Sequence, residues 1–286
     1  MNSRALPGEW LRDYRRQTFR LDEQTRLSSA EDAVHFVNER GFVYFWPIKE
    51  ITLPSLWVAV AGERPVADEH DDPGHVTWRW KDSLLDKRQW HYAKVLRGRA
   101  TVIALHTLPT FYALSENYGD PAHDYLQLYQ DGLLTREAKL IYETLLNEGP
   151  QDTVTLRRLI HLSGGPFERG LTELQRDFKI LPRGVAETGA WRYSFVYDLV
   201  HRYYPELAEQ ARPIGRQQAR EKLVELYFLS VGAATTADVT KLFQWPPRDV
   251  ERTLESLATA GVIQGGYLVN GRVGTHYIHA SLLADR

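Results

Sequence analysis

The stretch that decides the fold is TREAKLIYETLLNEGPQDTVTLRRLIHLSGGPFERGLTELQRDFKIL, residues 135–181. Thr135 precedes an apolar run at helical spacing, as an N-cap residue does, and Gly149 closes that helix. A shorter helix follows, and a third has Pro166 in its first turn. From Phe167 onward the apolar residues of the third segment recur at helical spacing. The pattern predicts three successive helices.

A two-stranded ribbon completes this unit. PRGVAETGAWRYSFVYDL, residues 182–199, alternates on both sides of a glycine-containing turn, which is typical of a β-hairpin. Three helices followed by a hairpin form a winged helix, a variant of the helix-turn-helix. The sequence therefore predicts a winged helix in the middle of the chain.

The same pattern occurs twice. A shift of 83 positions brings apolar residues onto apolar residues and preserves one glycine and one threonine, without a gap. The matched pairs are Leu140 and Leu223, Leu146 and Leu229, Gly149 and Gly232, Thr153 and Thr236, Leu156 and Val239, Leu159 and Leu242, Leu171 and Leu254, Leu174 and Leu257, and Ile180 and Ile263. The repeat predicts a second winged helix at the end of the chain.

The N-terminal region is less regular. Residues 29–41 predict a capped helix, residues 81–98 predict another helix, and residues 99–114 predict a pair of strands. We interpret this region as a third, diverged winged helix. The predicted fold is mainly α (α+β), with three tandem winged-helix (helix-turn-helix) units. The predicted segments are a basic N-terminal arm or helix at 1–26, then winged helices at 27–130, 131–210 and 211–286.

Composition narrows the function classes. The 286 residues contain no cysteine, which excludes disulfides and thiolate chemistry. No secretory signal and no run of about 18 apolar residues is present, so we expect a cytoplasmic protein without a membrane span. His70 and His75 lie in an acidic loop without a regular element to fix them as ligands, and cofactor motifs are absent. We expect neither a metal nor a cofactor.

The net charge of −2 gives no global attraction to DNA, so binding has to come from local basic clusters. Residues 157–192 of the middle unit have a net charge of +3, and the last helix of a helix-turn-helix enters the major groove. On the last unit, acidic residues balance Arg248 and Arg252, which favours a packing or partner surface there. The candidate DNA contacts of the middle unit are Arg157, Arg158, Arg169, Arg176, Lys179, Arg183 and Arg192.

Two further clusters combine basic and aromatic residues, as suits contact with nucleic acid. The first contains Arg12, Arg15 and Arg16, although a helix that docks its aromatic residues on the body of the protein explains this segment equally well. The second contains Trp78, Arg79, Trp80, Lys81, Lys87 and Arg88.

One segment carries a family resemblance. RYSFVYDLVHRYYPE, residues 192–206, resembles the R-x-Y-D-L-x-x-R-x-x-P segment of the crosslink-repair DNA glycosylase superfamily, the AlkZ/YcaQ-type winged-helix proteins. The matching residues are Tyr197, Asp198, Leu199, Arg202 and Pro205. The resemblance implies three tandem winged helices that form a concave channel. It also implies double-stranded DNA, intact or damaged, as the partner.

These glycosylases carry a Gln-x-Gln or Gln-x-Asp motif on a strand of the first unit, where it helps to place a water for attack at the deoxyribose C1′. When the glycine before that strand is aligned with Gly41, Tyr44 and Trp46 take the two polar positions. A tyrosine with a pKa near 10 is a poor base at neutral pH, and tryptophan is only a donor. The resemblance therefore implies a member without the usual catalytic pair. The strand FVYFW either belongs to the core or stacks on a displaced base.

Three functions stay open at this point. The first is a DNA-binding protein without glycosidic chemistry. The second is a DNA N-glycosylase for alkylated or crosslinked bases whose catalytic residue has moved, with Glu50 and His106 as candidates. The third is a winged-helix interaction scaffold or regulator. The sequence gives neither the DNA site or lesion nor the oligomeric state.

Overall fold

The computed structural model describes residues 4–64, 72–115, 117–189 and 192–284. Helices and strands alternate in a mixed α and β fold. The helices are α1 Gly8–Thr18, α2 Ala30–Arg40, α3 Leu56–Ala61, α4 Asp72–Leu84, α5 Leu108–Tyr112, α6 Asp124–Gln130, α7 Arg136–Glu148, α8 Thr153–Ile160, α9 Gly164–Arg176, α10 Val200–Tyr203, α11 Leu207–Ala211, α12 Arg216–Val231, α13 Thr236–Phe243, α14 Pro247–Thr259 and α15 Ser281–Ala284. The strands are β1 Arg4–Leu6, β2 Phe42–Tyr44, β3 Trp90–Lys94, β4 Ala100–Ala104, β5 Gln151–Asp152, β6 Ile180–Ala186, β7 Ser194–Leu199, β8 Ala233–Ala234, β9 Ile263–Val269 and β10 Thr275–His279.

The chain forms two compact units. The terminal unit contains Met1–Trp80 and Arg216–Arg286, and the central unit contains Lys81–Gly215. Residues 27–130 contribute to both units. In the part of the chain that the structure describes, no helix is long and apolar enough to cross a membrane.

The predicted repeat is confirmed by the element bounds. In the central unit the order is α7, β5, α8, α9, β6 and β7, and in the terminal unit it is α12, β8, α13, α14, β9 and β10. Helices α8 and α13, helices α9 and α14, and strands β6 and β9 each begin and end 83 residues apart. The predicted order of helix, helix, helix and hairpin is therefore present in both copies.

Each copy has a small antiparallel sheet with the short strand beside the second strand of the hairpin. The central sheet has the order β5-β7-β6, with Leu181 opposite Asp198. The terminal sheet has the order β1-β9-β10-β8, in which β1 adds a parallel strand outside the hairpin, with Arg4 opposite Tyr267. The segment at 1–26 therefore begins as part of the terminal unit.

The first helix of each copy ends in the same way. Gly149 follows α7 with φ of 78°, and Gly232 follows α12 with φ of 75°. This left-handed conformation is one that glycine adopts without a Cβ penalty. Gly41 follows α2 with φ of 78°, and the elements after it run β2, α3, α4, β3 and β4. The N-terminal region thus has the same order of elements along the chain as the two repeats.

Two sequence predictions in this region are wrong in detail. The helix predicted over 81–98 ends with α4 at Leu84, because Arg88 takes a left-handed conformation with φ of 49° and the chain continues as strand β3. The strand pair predicted over 99–114 supplies only β4, whose antiparallel partner is the preceding strand β3. The second half of that segment forms helix α5, with Pro109 in its first turn.

Candidate nucleic-acid interface

The strand aligned with the glycosylase motif is part of the core. Phe42, Val43, Tyr44 and Phe45 are each 2% exposed or less. The backbone amide of Tyr44 donates to the carbonyl oxygen of Pro54 over 2.9 Å. This agrees with the core interpretation of FVYFW for its first four residues.

Trp46 lies at the edge of this core. It is half-buried, and its ring lies 6.0 Å from the ring of the fully buried Trp57, with 25° between the planes. Phe45 contacts Trp46 edge-on, with ring centroids 5.9 Å apart. The indole is therefore held by aromatic packing, and one part of it reaches solvent. Neither Tyr44 nor Trp46 supplies a base that works at neutral pH.

We expect the two motif positions to respond differently to glutamine. Tyr44→Gln puts an amide into a site where Tyr44 is 0% exposed and should lower the free energy of unfolding by about 2–4 kcal/mol. Trp46→Gln leaves its amide in reach of water and should cost clearly less. Urea unfolding of both variants measures this difference, and equal losses would contradict the core assignment of Tyr44.

Glu50 and His106, the candidates for a relocated catalytic residue, lie in different compact units. Glu50 is exposed in the terminal unit, and its Oε2 lies 3.0 Å from Nζ of Lys241. The hydrogen bond and charge of Lys241 lower the pKa of Glu50, which makes this carboxylate a weaker base. His106 is exposed in the central unit. Both side chains are exposed, so neither lies in a buried site shielded from water.

Helix α9 is the third helix of the central copy and the first candidate for a DNA contact. Its buried face contains Phe167, Leu171 and Leu174, which pack in the central core. Gly170 lets α9 approach α7 closely, since a Cβ there would lie 3.0 Å from Ile141 Cδ1 and 3.1 Å from the backbone nitrogen of Ala138. The core of the unit therefore fixes the orientation of α9.

A second side of α9 is covered by the hairpin β3–β4. The backbone amide of Lys94 donates to Gln175 Oε1 over 3.1 Å. A Cβ on Gly98 would lie 3.1 Å from the methyl group of Thr172. On another side, Glu173 accepts from the backbone amide of Thr135 over 2.9 Å and so fixes the start of α7. Only part of the polar surface of α9 is left open to a partner.

The open part of α9 is basic. Arg169 and Arg176 are exposed and lie seven residues apart, which places them on the same face of the helix. Arg158 is exposed on the preceding helix α8, and Arg192 is exposed on the β6–β7 hairpin. Arg192 pairs with Glu187, and both side chains are more than three-quarters exposed. Arg176 pairs with Asp177 at 3.3 Å, but more than half of its side chain is exposed. We name the exposed helix residues Arg158, Arg169 and Arg176 the open arginines of the central unit.

Other candidates of the same segment are half-buried and have structural partners. Arg157 Nη2 donates to Glu168 Oε1 over 2.8 Å, and its guanidinium lies over the ring of Phe167 at 4.9 Å. Arg183 pairs with Asp198 at 3.0 Å. Lys179 is half-buried and donates to Asn117 Oδ1 over 2.7 Å. These contacts give Arg157, Arg183 and Lys179 structural partners, so they do not form one basic face with the open arginines.

Asp198 explains the motif that carries the family resemblance. Its carboxylate is 1% exposed and pairs with two arginines, Arg183 and Arg202, each at 3.0 Å. Arg202 also donates to the carbonyl oxygens of Leu145 and Leu146, near the end of α7. The motif thus joins the hairpin to the first helix of the unit. We name Asp198, Arg183 and Arg202 the aspartate clasp.

The N-terminal segment docks on the terminal unit. The hydroxyl of Tyr14 donates to the carbonyl oxygen of Leu229 over 2.7 Å. Arg15 donates to the carbonyl oxygens of Val231 and Ala233, and burial lowers the pKa of Arg15 to about 10. Arg15 is therefore not available for phosphate, whereas Arg12 is exposed. Arg16 is exposed but pairs with Asp22.

The side chains of the basic and aromatic cluster at 78–88 differ in exposure. Arg79, Lys87 and Arg88 are exposed, and Trp78 and Trp80 are half-buried. Lys81 is 2% exposed, with Nζ 2.9 Å from the hydroxyl of Tyr193 and 2.9 Å from Asp82.

Lys81 Nζ also lies 4.4 Å from the ring centroid of Phe195. Burial lowers the pKa of Lys81. The interpretation of Lys81 as a phosphate contact does not agree with this enclosed position.

The described residues include histidine and acidic side chains as candidate metal ligands. No group of three histidine or acidic side chains there is arranged to hold a metal ion. His75 is exposed at the start of α4, and His70 lies outside the described residues.

Two copies of a unit of three helices and a hairpin define the fold class of this protein. In the N-terminal region Gly41 precedes strand β2 in the same way as a glycine precedes the short strand of each copy. The chain belongs to the AlkZ-related family, whose model matches residues 27–244. The resemblance inferred from residues 192–206 is thereby confirmed. The chain is therefore related to DNA-repair glycosylases.

A solved structure of the Streptomyces sahachiroi DNA glycosylase AlkZ is similar in fold. The match has a TM-score of 0.56 and 14% sequence identity, and it covers 98% of this chain and 73% of that chain. A search of the curated proteins found no match.

Proposed function

We propose that this protein binds double-stranded DNA through tandem winged helices and lacks the glycosidic chemistry of its relatives. In this proposal the three winged-helix units are residues 27–130, 131–210 and 211–286, and the segment 1–26 is a helix docked on the last unit. The repeated order of elements and the glycines Gly41, Gly149 and Gly232 support the division into three units.

The observation that carries DNA binding is the open surface of α9. Core packing and the β3–β4 hairpin hold the helix, while Arg169 and Arg176 stay exposed on one face. Arg158 adds a third positive charge from the neighbouring helix. Guanidinium groups in such an arrangement contact phosphates and displace condensed counterions.

The proposed absence of glycosidic chemistry rests on the segment FVYFW, which aligns with the glycosylase motif. Tyr44 is fully buried and Trp46 packs on Trp57, so these side chains serve the core. Glu50 pairs with Lys241 in solvent, which gives it no feature of a tuned catalytic carboxylate. Trp46 is half-buried, and the part of its indole that reaches solvent is suited to contact an unpaired base.

The test compares two triple variants of equal charge change. Arg158→Ala, Arg169→Ala and Arg176→Ala together should weaken binding to a duplex by at least about tenfold. They should also reduce the slope of log K against log salt by up to about 3, because each lost phosphate contact removes about 0.9. Fluorescence anisotropy at several salt concentrations measures both quantities.

The matched control replaces three exposed arginines of the last copy, Arg248, Arg252 and Arg272, by alanine. We expect a clearly smaller effect, because acidic residues surround Arg248 and Arg252. If the two triple variants bind alike, α9 is not the main DNA contact. If wild-type protein shows no salt-dependent affinity for duplex DNA, the proposal of DNA binding fails.

A further inference from the structure

A cavity of about 410 Å³ lies within the central unit, beside the segment that follows α9. It is formed by α6, α7, the segment after α5 and residues 177–179. Its volume falls in the usual range for sites that hold small molecules. The DNA-binding proposal does not use this cavity.

Aromatic rings form much of the cavity wall. Tyr112, Tyr125 and Tyr142 are almost fully buried, and the rings of Tyr125 and Tyr142 lie 5.0 Å apart. Their hydroxyls have partners: Tyr112 donates to the carbonyl oxygen of Asn117, Tyr125 to Glu143 and Tyr142 to the carbonyl oxygen of Pro121. The tyrosine rings therefore form part of the cavity wall, while their hydroxyl groups have partners within the protein.

Lys179 supplies the positive charge of the wall. Among the described residues its ammonium makes one hydrogen bond, to Asn117 Oδ1 over 2.7 Å. An ammonium group has three donors, so two directions are left for a further acceptor. No carboxylate among those residues lies within ion-pair distance of Lys179 Nζ, and burial lowers the pKa of this group.

The amide of Asn117 is held in place. Its Nδ2 donates to the carbonyl oxygen of Asp177 over 2.6 Å and to Ser115 Oγ over 3.0 Å. This bonding fixes the amide oxygen toward Lys179 and so orients the ammonium. The lysine is a positioned donor, unlike a mobile surface lysine.

The neighbouring acids do not cancel this charge by direct contact. Asp177 and Asp124 also line the cavity. Asp177 pairs with Arg176 at 3.3 Å, and burial raises the pKa of its carboxyl group. Asp124 is exposed and lies against Gly119, where a Cβ would collide with its carboxylate. Burial and the charge of Arg202 lower the pKa of His201, which disfavours its charged form. Lys179 is thus the site on the wall that is best suited to accept an anionic group.

We propose that this cavity binds a small molecule that combines an aromatic ring with one anionic group, a carboxylate or a phosphate monoester. The ring packs against the tyrosine rings of the wall, and the anion accepts from Lys179. Charge-assisted bonds in such a partly desolvated site are stronger than those on the surface. The proposal is independent of DNA binding.

Titration calorimetry with two probes tests the site and separates the two anion types. Salicylate represents the aromatic carboxylates, and adenosine 5′-monophosphate represents the aromatic phosphates. Acetate, inorganic phosphate and adenosine each lack one of the two features. We expect at least one of the two probes to bind with Kd below about 1 mM and each of the three controls to bind at least about tenfold more weakly.

Variants of cavity residues test whether the probe binds in the cavity. Lys179→Met should weaken the bound probe by at least about tenfold, because the charged donor is removed. Lys222→Met changes an exposed lysine of the terminal unit and should have no effect. Asn117→Asp keeps the side-chain size but puts a carboxylate against Lys179, so it should weaken binding even if Lys179→Met folds poorly.

Two results would overturn the proposal. One is the absence of saturable binding of both probes to the wild-type protein. The other is a folded Asn117→Asp or Lys179→Met variant that binds the probe with wild-type affinity.

Discussion

Asp198→Ala should lower the free energy of unfolding by about 3–5 kcal/mol, the usual cost of breaking a buried ion pair from one side. Asp198 is 1% exposed, and its carboxylate accepts from Arg183, Arg202 and the backbone amide of Leu199. Without it, Arg202 loses the ion-pair partner that holds it against the end of α7. The hairpin and the first helix of the central copy would then be joined less firmly.

Chemical denaturation followed by circular dichroism measures this loss. Glu187→Ala is the matched control, since it breaks a 2.6 Å pair with Arg192 that is open to solvent and should cost little. Asp198→Asn should lie between the two, because the amide oxygen still accepts a hydrogen bond. If Asp198→Ala costs no more than Glu187→Ala, the aspartate clasp does not hold the unit together.

A second large effect is expected from His91, as a dependence of stability on pH. His91 is 0% exposed on β3, and its ring stacks on Phe178 with centroids 5.6 Å apart. Neither ring nitrogen has a hydrogen-bond partner among the described residues. Burial lowers the pKa of His91 to about 3. The folded protein therefore keeps this ring neutral.

The direction in which stability changes with pH follows from proton linkage. Between pH 6.5 and about 3 the unfolded chain binds a proton at His91 that the folded protein does not, so stability falls as the pH falls. At pH 5 this contribution amounts to about 2 kcal/mol relative to pH 7. His91→Phe keeps a ring of similar size in the stack and removes this contribution. It also removes two buried polar atoms, so we expect equal or higher stability at pH 7.

Urea unfolding at pH 7, 6 and 5 measures the difference. The wild-type protein should lose more stability than His91→Phe over this range, by about 2 kcal/mol at pH 5. His106→Phe changes an exposed histidine and should follow the wild-type protein. Parallel curves for wild type and His91→Phe would show that His91 binds protons equally in the folded and unfolded states.

The repeated part of the fold could be predicted from sequence because its signals are local. N-caps, helix-ending glycines and apolar spacing act over a few residues, and the same signals occur in both copies, 83 residues apart. The N-terminal region was harder to predict. The spacing of residues 81–98 predicts one helix, because it contains no signal for the left-handed turn at Arg88. It also does not show that β3 is the partner of β4.

The candidate interface was only partly predictable. Sequence identifies arginine, but it does not show that Arg157 donates to Glu168 or that Arg15 donates to two carbonyl oxygens at the end of α12 and just after it. Such partners are distant in sequence or depend on packing. The hairpin β3–β4 against α9 was missed for the same reason, as was the cavity around Lys179.

The burial of the segment FVYFW could be predicted from sequence only in part. The five large residues of FVYFW predicted a buried strand, and the structure buries the first four of them. Sequence could not decide whether Trp46 packs or stays open, because the stacking partner Trp57 follows eleven residues later in another element. The partial exposure of this indole is a property of the folded chain.

The central claim is DNA binding without glycosidic chemistry, and one assay tests it most directly. A duplex with an alkylated base or a crosslink is saturated with the protein, as shown by anisotropy, and is then treated with alkali to cleave at abasic sites. The account predicts bound DNA with no strand cleavage above that of the duplex alone, because in this proposal Tyr44 and Trp46 take the place of the catalytic pair. Protein-dependent cleavage that Glu50→Gln or His106→Ala abolishes would contradict it and would show a glycosylase with a relocated catalytic residue.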